Sequence, residues 1–128
     1  MSVRILIVED HPTMREAMRL VLEREGFDID EASDGDQALV AVHDEAPDLV
    51  LLDMSIPGTA GPEVLAAIKS DPSTSKVRVI VVTATGEEGR SAAMAGGADH
   101  YFTKPFSPIA LLQAVEEVVG TETDGPDE

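Results

Sequence analysis

The chain has 128 residues and no cysteine, which excludes thiolate metal sites and disulfide frameworks; a chain of this size forms one domain that buries about two-thirds of its unfolded surface. Its formal net charge of −16 repels the phosphates of nucleic acids and anionic lipids, which argues against direct nucleic-acid binding or attachment to a membrane surface. The apolar run at the amino terminus is too short for a signal peptide or a membrane span, so the expected location is cytoplasmic.

In chain order, short runs rich in Val, Ile and Leu alternate with longer segments of helical period. Strands are expected near Val3 to Val8, Asp28 to Ala32, Leu49 to Asp53, Val77 to Thr83 and Ala98 to Phe102. The first helix is expected from Pro12 to Glu25, with Pro in its opening turn, Gly26 just past its end, and a buried stripe of Met14, Met18, Val21 and Leu22. A second runs from Asp36 to Glu45 over Ala38, Leu39 and Val42 and is stopped by Pro47. A third spans Pro62 to Ser70. A fourth, Glu87 to Ala95, is rich in Gly and Ala and should be the loosest, and a fifth, Pro108 to Val119, packs Leu111, Leu112, Val115 and Val118 or Val119. Residues 1–120 thus make one domain. The tail 121–128 is acidic, has almost no apolar side chain, and is expected to be disordered or to begin a linker.

Five β/α units of this kind imply an α/β fold, a doubly wound five-stranded parallel sheet between two helical layers. In such sheets the ligand crevice lies at the carboxyl ends of the strands, where the strand order reverses. The residues at those ends are Glu9 and Asp10 after strand one, Asp53 at strand three, Thr83 at strand four and Lys104 after strand five. Three carboxylates brought together repel one another unless a cation neutralises them. An oxygen-only set suits a hard ion, and Mg²⁺ is the natural choice. The three histidines, His11, His43 and His100, are far apart in sequence and do not read as a metal cluster. Phosphoryl transfer fits such a site, because it asks mainly for an in-line nucleophile and positive charge around the transferring group. Asp53 can serve as nucleophile, Lys104 as the positive charge and Thr83 as a hydrogen-bond donor.

Taken singly, each residue has a plainer role. An Asp after an apolar strand is often a turn or cap residue, Glu9-Asp10 can favour a helix dipole, and Lys-Pro is ordinary loop material. Together, Glu9-Asp10, Asp53 with Pro57 and Gly61 beyond it, Thr83-Ala84 and Lys104-Pro105-Phe106 resemble the response-regulator receiver family over residues 3 to 119. The resemblance implies a flavodoxin-like (βα)5 sandwich with strand order 2-1-3-4-5. It implies a phosphoacceptor signalling domain of a two-component phosphorelay, not an enzyme in its own right, in which Asp53 accepts phosphate from a sensor histidine kinase or a histidine phosphotransfer protein. Glu9, Asp10, Asp53 and the main-chain carbonyl of Ser55 then correspond to the Mg²⁺ ligands, Thr83 and Tyr101 to the switch pair, and Lys104-Pro105 to a cis peptide. Phosphorylation would reshape the surface of helix four, strand five and helix five, with Arg90, Met94 and His100 as exposed contacts. The reader of that surface would be a downstream effector or a C-terminal output domain.

Two features depart from the family pattern. Ser55 and Thr85, each two residues beyond a key position, offer no carboxylate or amide to orient a hydrolytic water, so slow loss of the phosphoryl group is expected. Pro62 directly follows Gly61 and shapes the start of helix three. Among rival functions, a nucleotide- or flavin-binding module would need a glycine- or hydroxyl-rich loop after strand one, where this chain has Glu9-Asp10-His11-Pro12. An aspartate-nucleophile phosphatase shares the chemistry, but enzymes of the dehalogenase type carry the nucleophile after strand one and need a substrate cap.

Overall fold

The computed structural model describes residues 3–84 and 87–123. Five strands, β1 (Arg4–Val8), β2 (Asp28–Ala32), β3 (Leu49–Asp53), β4 (Arg78–Thr83) and β5 (His100–Thr103), alternate with five helices, α1 (Pro12–Arg24), α2 (Gly35–Asp44), α3 (Gly61–Ser70), α4 (Glu87–Ala95) and α5 (Pro108–Thr123). All neighbouring strands are parallel and the sheet order is β2-β1-β3-β4-β5. The expected order and all ten elements are present. The largest boundary differences are at β5, which starts at His100 in place of Ala98, and at α5, which continues through Thr123, past Val119. The last five residues of the acidic tail, 124–128, and Thr85 lie outside the described residues.

The central strands β1, β3 and β4 are buried on both faces because their side chains alternate between two apolar layers. Leu6, Val8, Val50, Leu52, Val79 and Val81 pack with Ala38, Val42, Val64, Leu65, Ile68 and Ala93, so α2, α3 and α4 cover one face. Ile5, Ile7, Leu49, Leu51 and Ile80 pack with Met18, Leu22, Leu111, Ala114, Val115 and Val118, so α1 and α5 cover the other. Each fully buried Leu, Ile or Val in these layers contributes about 1.5–3 kcal/mol relative to exposure. Of the stripe expected on α1, Met18 and Leu22 are fully buried, while Met14 and Val21 are only partly so.

α2 begins at Asp34, whose side chain accepts the Gln37 N–H at 2.7 Å and so satisfies one of the free donors of the first turn. Gly35 is packed under the β3–α3 loop. Its N–H donates to the Pro57 carbonyl at 3.0 Å, and a Cβ at this position would stand 1.9 Å from the Thr59 carbonyl oxygen. Gly58 turns that loop with φ +75°, and the Thr59 hydroxyl donates to Asp36. The segment that follows Asp53 is thereby fixed against α2. α4, by contrast, has Ala93 as its one fully buried side chain among those described, in line with the expectation that it is the least anchored helix.

Candidate functional site

The carboxyl ends of β1, β3 and β4 and the segment after β5 meet on one rim of the sheet. Glu9 directly follows β1, extends its pairing by donating its N–H to the Ala32 carbonyl at 3.0 Å, and is 1% exposed. Its own carbonyl accepts from Arg15 Nη1 at 2.7 Å, and Arg15 is also paired to Glu31, so α1 holds the rim from one side. Asp53 ends β3 at 2% exposure, with Oδ1 accepting the Ser55 N–H at 2.9 Å. Lys104 directly follows β5 and is joined to Pro105 by a cis peptide, and its N–H donates to the Thr83 carbonyl at 2.8 Å. Its ammonium lies 2.9 Å from Asp53 Oδ2 and 3.4 Å from Glu9 Oε1.

One cation therefore faces two buried carboxylates, while Asp10, the next acid in the chain, is partly exposed. Burial, then the negative charge of neighbouring Asp53, raise the Glu9 pKa above the usual 4.5, against the opposing pull of the His11 N–H and Lys104. Burial works against the charge on Lys104, but its hydrogen bond and attraction to Asp53, with Glu9 adding to them, more than compensate and raise its pKa above 10.5. Glu9 Oε1 remains without a hydrogen bond, the one buried side-chain oxygen of which this holds among the described residues. A buried carboxylate oxygen in that condition, among carboxylates that outnumber the ammonium, is a donor set suited to a hard divalent cation.

The sequence-predicted residues are brought together unevenly. Glu9, Asp53 and Lys104 form one contact group. Thr83 is buried one residue beyond the position paired with Phe102 and lies beside Thr103 in the register, at the same rim. Ser55 reaches Asp53 through its N–H. Asp10 makes its nearest charged approach to His11, at 3.9 Å, and Glu9, Asp10 and His11 offer donor atoms within 4.8 Å of one another. His11 was not expected in this group, although its place directly after the acidic pair is a signal the sequence carries. Tyr101 is half-buried against the layer of α2, α3 and α4, and its hydroxyl accepts from Thr103 Oγ1 at 3.0 Å. Beside it, Arg90, Met94, Asp99 and His100 line an open groove of about 340 Å³.

The model of the family described as "Response regulator receiver domain" matches residues 5–116. The chain belongs to the receiver domain family. Among curated relatives, this receiver domain is 41% identical over 120 residues to the phosphate regulon transcriptional regulatory protein PhoB of Escherichia coli, covering 93% of the chain and 52% of PhoB. It is 40% identical over 129 residues to the DNA-binding response regulator MtrA of Mycolicibacterium smegmatis, covering 100% of the chain and 55% of MtrA. The receiver domain thus spans about half the length of the curated relatives it matches. Among solved structures it is similar to a putative response regulator from Chloroflexus aurantiacus, with a TM-score of 0.89 at 29% identity over 94% of this chain and 99% of that one. A CheY-like receiver domain protein from Methanospirillum hungatei gives a TM-score of 0.87 at 30% identity over 98% of this chain and 100% of that one. Among the described residues no helix is long and apolar enough to cross a membrane.

Proposed function

We propose that this receiver domain is a cytoplasmic phosphoacceptor of a two-component phosphorelay, and that Asp53 is the residue that takes the phosphoryl group. The observation that carries the reading is the Asp53 carboxylate, 2% exposed at a strand end and held between the Ser55 N–H and the Lys104 ammonium. An oxygen of Asp53 attacks the phosphorus of a phosphohistidine on a sensor kinase or phosphotransfer protein; the P–N bond breaks, and the departing imidazole nitrogen keeps the electron pair and takes up a proton. Lys104 follows the negative charge onto the transferred group, and Thr83 stands at the same rim to donate a hydrogen bond. Glu9, Asp10, Asp53 and the Ser55 carbonyl would hold Mg²⁺, which when bound neutralises charge on the phosphoryl oxygens.

The new phosphoryl group carries about −1.5 to −2 charges. It draws Thr83 and Lys104 inward, and Tyr101 follows by a change of rotamer that remodels the α4–β5–α5 surface. Because α4 is sparsely anchored, its two arrangements differ by only a few kcal/mol and a local charge shifts their populations. The reader of that surface is an effector protein or a C-terminal output domain. The test is the fate of phosphate after addition of a small acyl-phosphate donor with Mg²⁺. One phosphoryl group retained per chain, seen by intact mass, is expected; multiple turnovers of free phosphate with no phosphoprotein would favour an aspartate-nucleophile phosphatase.

A further inference from the structure

The segment between Asp53 and α3 is fastened at both ends and in the middle. Met54 donates its N–H to the Val82 carbonyl at 3.0 Å, and Ser55 turns its N–H back onto Asp53 Oδ1 at 2.9 Å. Ile56 is buried and packs into the layer of α2, α3 and α4. At the far end Gly61 lies so close over Met54 that a Cβ on it would stand 2.6 Å from the Met54 Cα. Between these points the segment is tied to the first turn of α2, where the Pro57 carbonyl accepts the Gly35 N–H at 3.0 Å and the Thr59 hydroxyl donates to Asp36 Oδ1.

The Thr59–Asp36 bond is exposed, and such a bond adds little to global stability because both partners regain water when it opens. Its effect is on orientation. The apolar contacts of Ile56 hold the segment down without fixing the rotation of its peptide planes, since apolar burial is non-directional. The plane that carries the Ser55 N–H is therefore set by the hydrogen bonds on either side of it, Met54 to Val82 before it and Pro57 and Thr59 to α2 after it. That N–H in turn aims the Asp53 carboxylate. A misplacement of about 1 Å, caused far from the reacting atoms, can slow a reaction about a hundredfold. We infer that Asp36 and Thr59 are positioning residues for phosphoryl transfer, which clamp the segment after β3 to α2 and so hold the Ser55 N–H on Asp53. This rests on Asp53 as the phosphoacceptor and adds to it a pair of residues outside the site that aims its carboxylate.

The experiment takes two readouts on the 128-residue chain. One is hydrogen exchange of the Ser55 amide, by NMR on metal-free protein. The other is the rate of labelling by a small acyl-phosphate donor with Mg²⁺, by intact mass over a range of donor concentrations and with Asp53→Asn as the blank. Thr59→Val removes the hydroxyl and keeps the shape, and Asp36→Ala removes the acceptor from an exposed position, so both are expected to fold. Each should speed Ser55 exchange and lower the maximal labelling rate by about fivefold or more, with the half-saturating donor concentration changed by less than about twofold. Thr59→Ser and Asp36→Asn keep a hydroxyl and an acceptor oxygen and should return both readouts to within about twofold of the parent, while Thr59→Val combined with Asp36→Ala should be no slower than either alone. Ser73→Ala, which breaks a similar exposed bond to Asp71, should change neither readout. Parent-like exchange and labelling in Thr59→Val and Asp36→Ala, a loss that Thr59→Ser does not recover, or equal slowing in Ser73→Ala overturns the inference and leaves Asp53 as the phosphoacceptor. A parent labelled no more than Asp53→Asn overturns the phosphoacceptor reading and this inference with it.

Discussion

Replacing Lys104 with Met removes the one ammonium between Glu9 and Asp53 while keeping most of the apolar stem. At 2.9 and 3.4 Å, and with an effective dielectric of about 20, the two attractions are each roughly 5–6 kcal/mol before desolvation is counted. Desolvation cancels much of this, and removal of one partner from such a buried pair costs about 3–5 kcal/mol. Lys104 keeps 22% of its side chain in solvent, so a loss near the bottom of that range, about 3 kcal/mol, is expected at pH 8. The loss should shrink in acid. The Glu9 pKa is already raised above 4.5, so the folded parent binds more protons than the unfolded chain just above that pH, and stability falls as pH rises through the folded value. Lys104 lowers the Glu9 pKa, so its removal lifts that value further and extends the decline to higher pH. Urea unfolding of metal-free parent and variant at pH 8 and at pH 4.5 measures the difference. A penalty equal at the two pH values, or below about 0.5 kcal/mol at pH 8, would refute the reading of a buried carboxylate pair held by one ammonium.

Other outcomes follow from the same geometry. Asp10→Ala leaves the fold intact, because Asp10 is half-exposed, but lowers Mg²⁺ affinity by about two orders of magnitude or more in calorimetry. Gly35→Ala drives a Cβ into the Thr59 carbonyl and should cost about 2–4 kcal/mol in thermal or urea unfolding, with the loop after Asp53 displaced. His43 places one ring nitrogen 3.0 Å from the Leu39 carbonyl and the other 3.0 Å from Asp71 Oδ2, two acceptors that together require the doubly protonated ring. Its pKa is raised by the Leu39 carbonyl and then by Asp71, so the tie between α2 and the end of α3 is complete below pH 6.5 and is lost as pH rises through the folded value. NMR titration should give a midpoint above 6.5 that falls in Asp71→Asn. Thr83→Ala should leave phosphorylation detectable but remove the chemical-shift changes around Tyr101 and α4 that a phosphoryl mimic produces in the parent.

Much of the fold was legible because its strongest signals are local. Three of the strands, β1, β3 and β4, are flagged by consecutive Val, Ile or Leu residues, and β3 reads Leu-Val-Leu-Leu-Asp with every side chain buried. β2, Asp-Ile-Asp-Glu-Ala, was the weakest strand in the sequence because it lies at the sheet edge and buries only Ile29 and Ala32. The site residues were legible as strand-end acids and a following lysine, but their pairing was not. That Lys104 reaches both Glu9 and Asp53 depends on β1, β3, β4 and β5 lying side by side, a property of topology that no local spacing encodes. His11 is remote in sequence from the other histidines, and only its adjacency to Glu9-Asp10 signals that its ring lies beside the acidic pair. Gly35 and Gly61 likewise look like ordinary helix-start glycines, and only the packed loop shows why each lacks a Cβ.

The central claim, that Asp53 receives the phosphoryl group, is tested most directly by locating the group in the chain. The parent is treated with a small acyl-phosphate donor and Mg²⁺, and the aspartyl phosphate is trapped and mapped by peptide mass spectrometry. One phosphoryl group on the peptide carrying Asp53, absent without Mg²⁺ and absent in Asp53→Asn, is the predicted result. A group mapped to another residue, or an Asp53→Asn protein labelled to the same extent as the parent, would contradict the account.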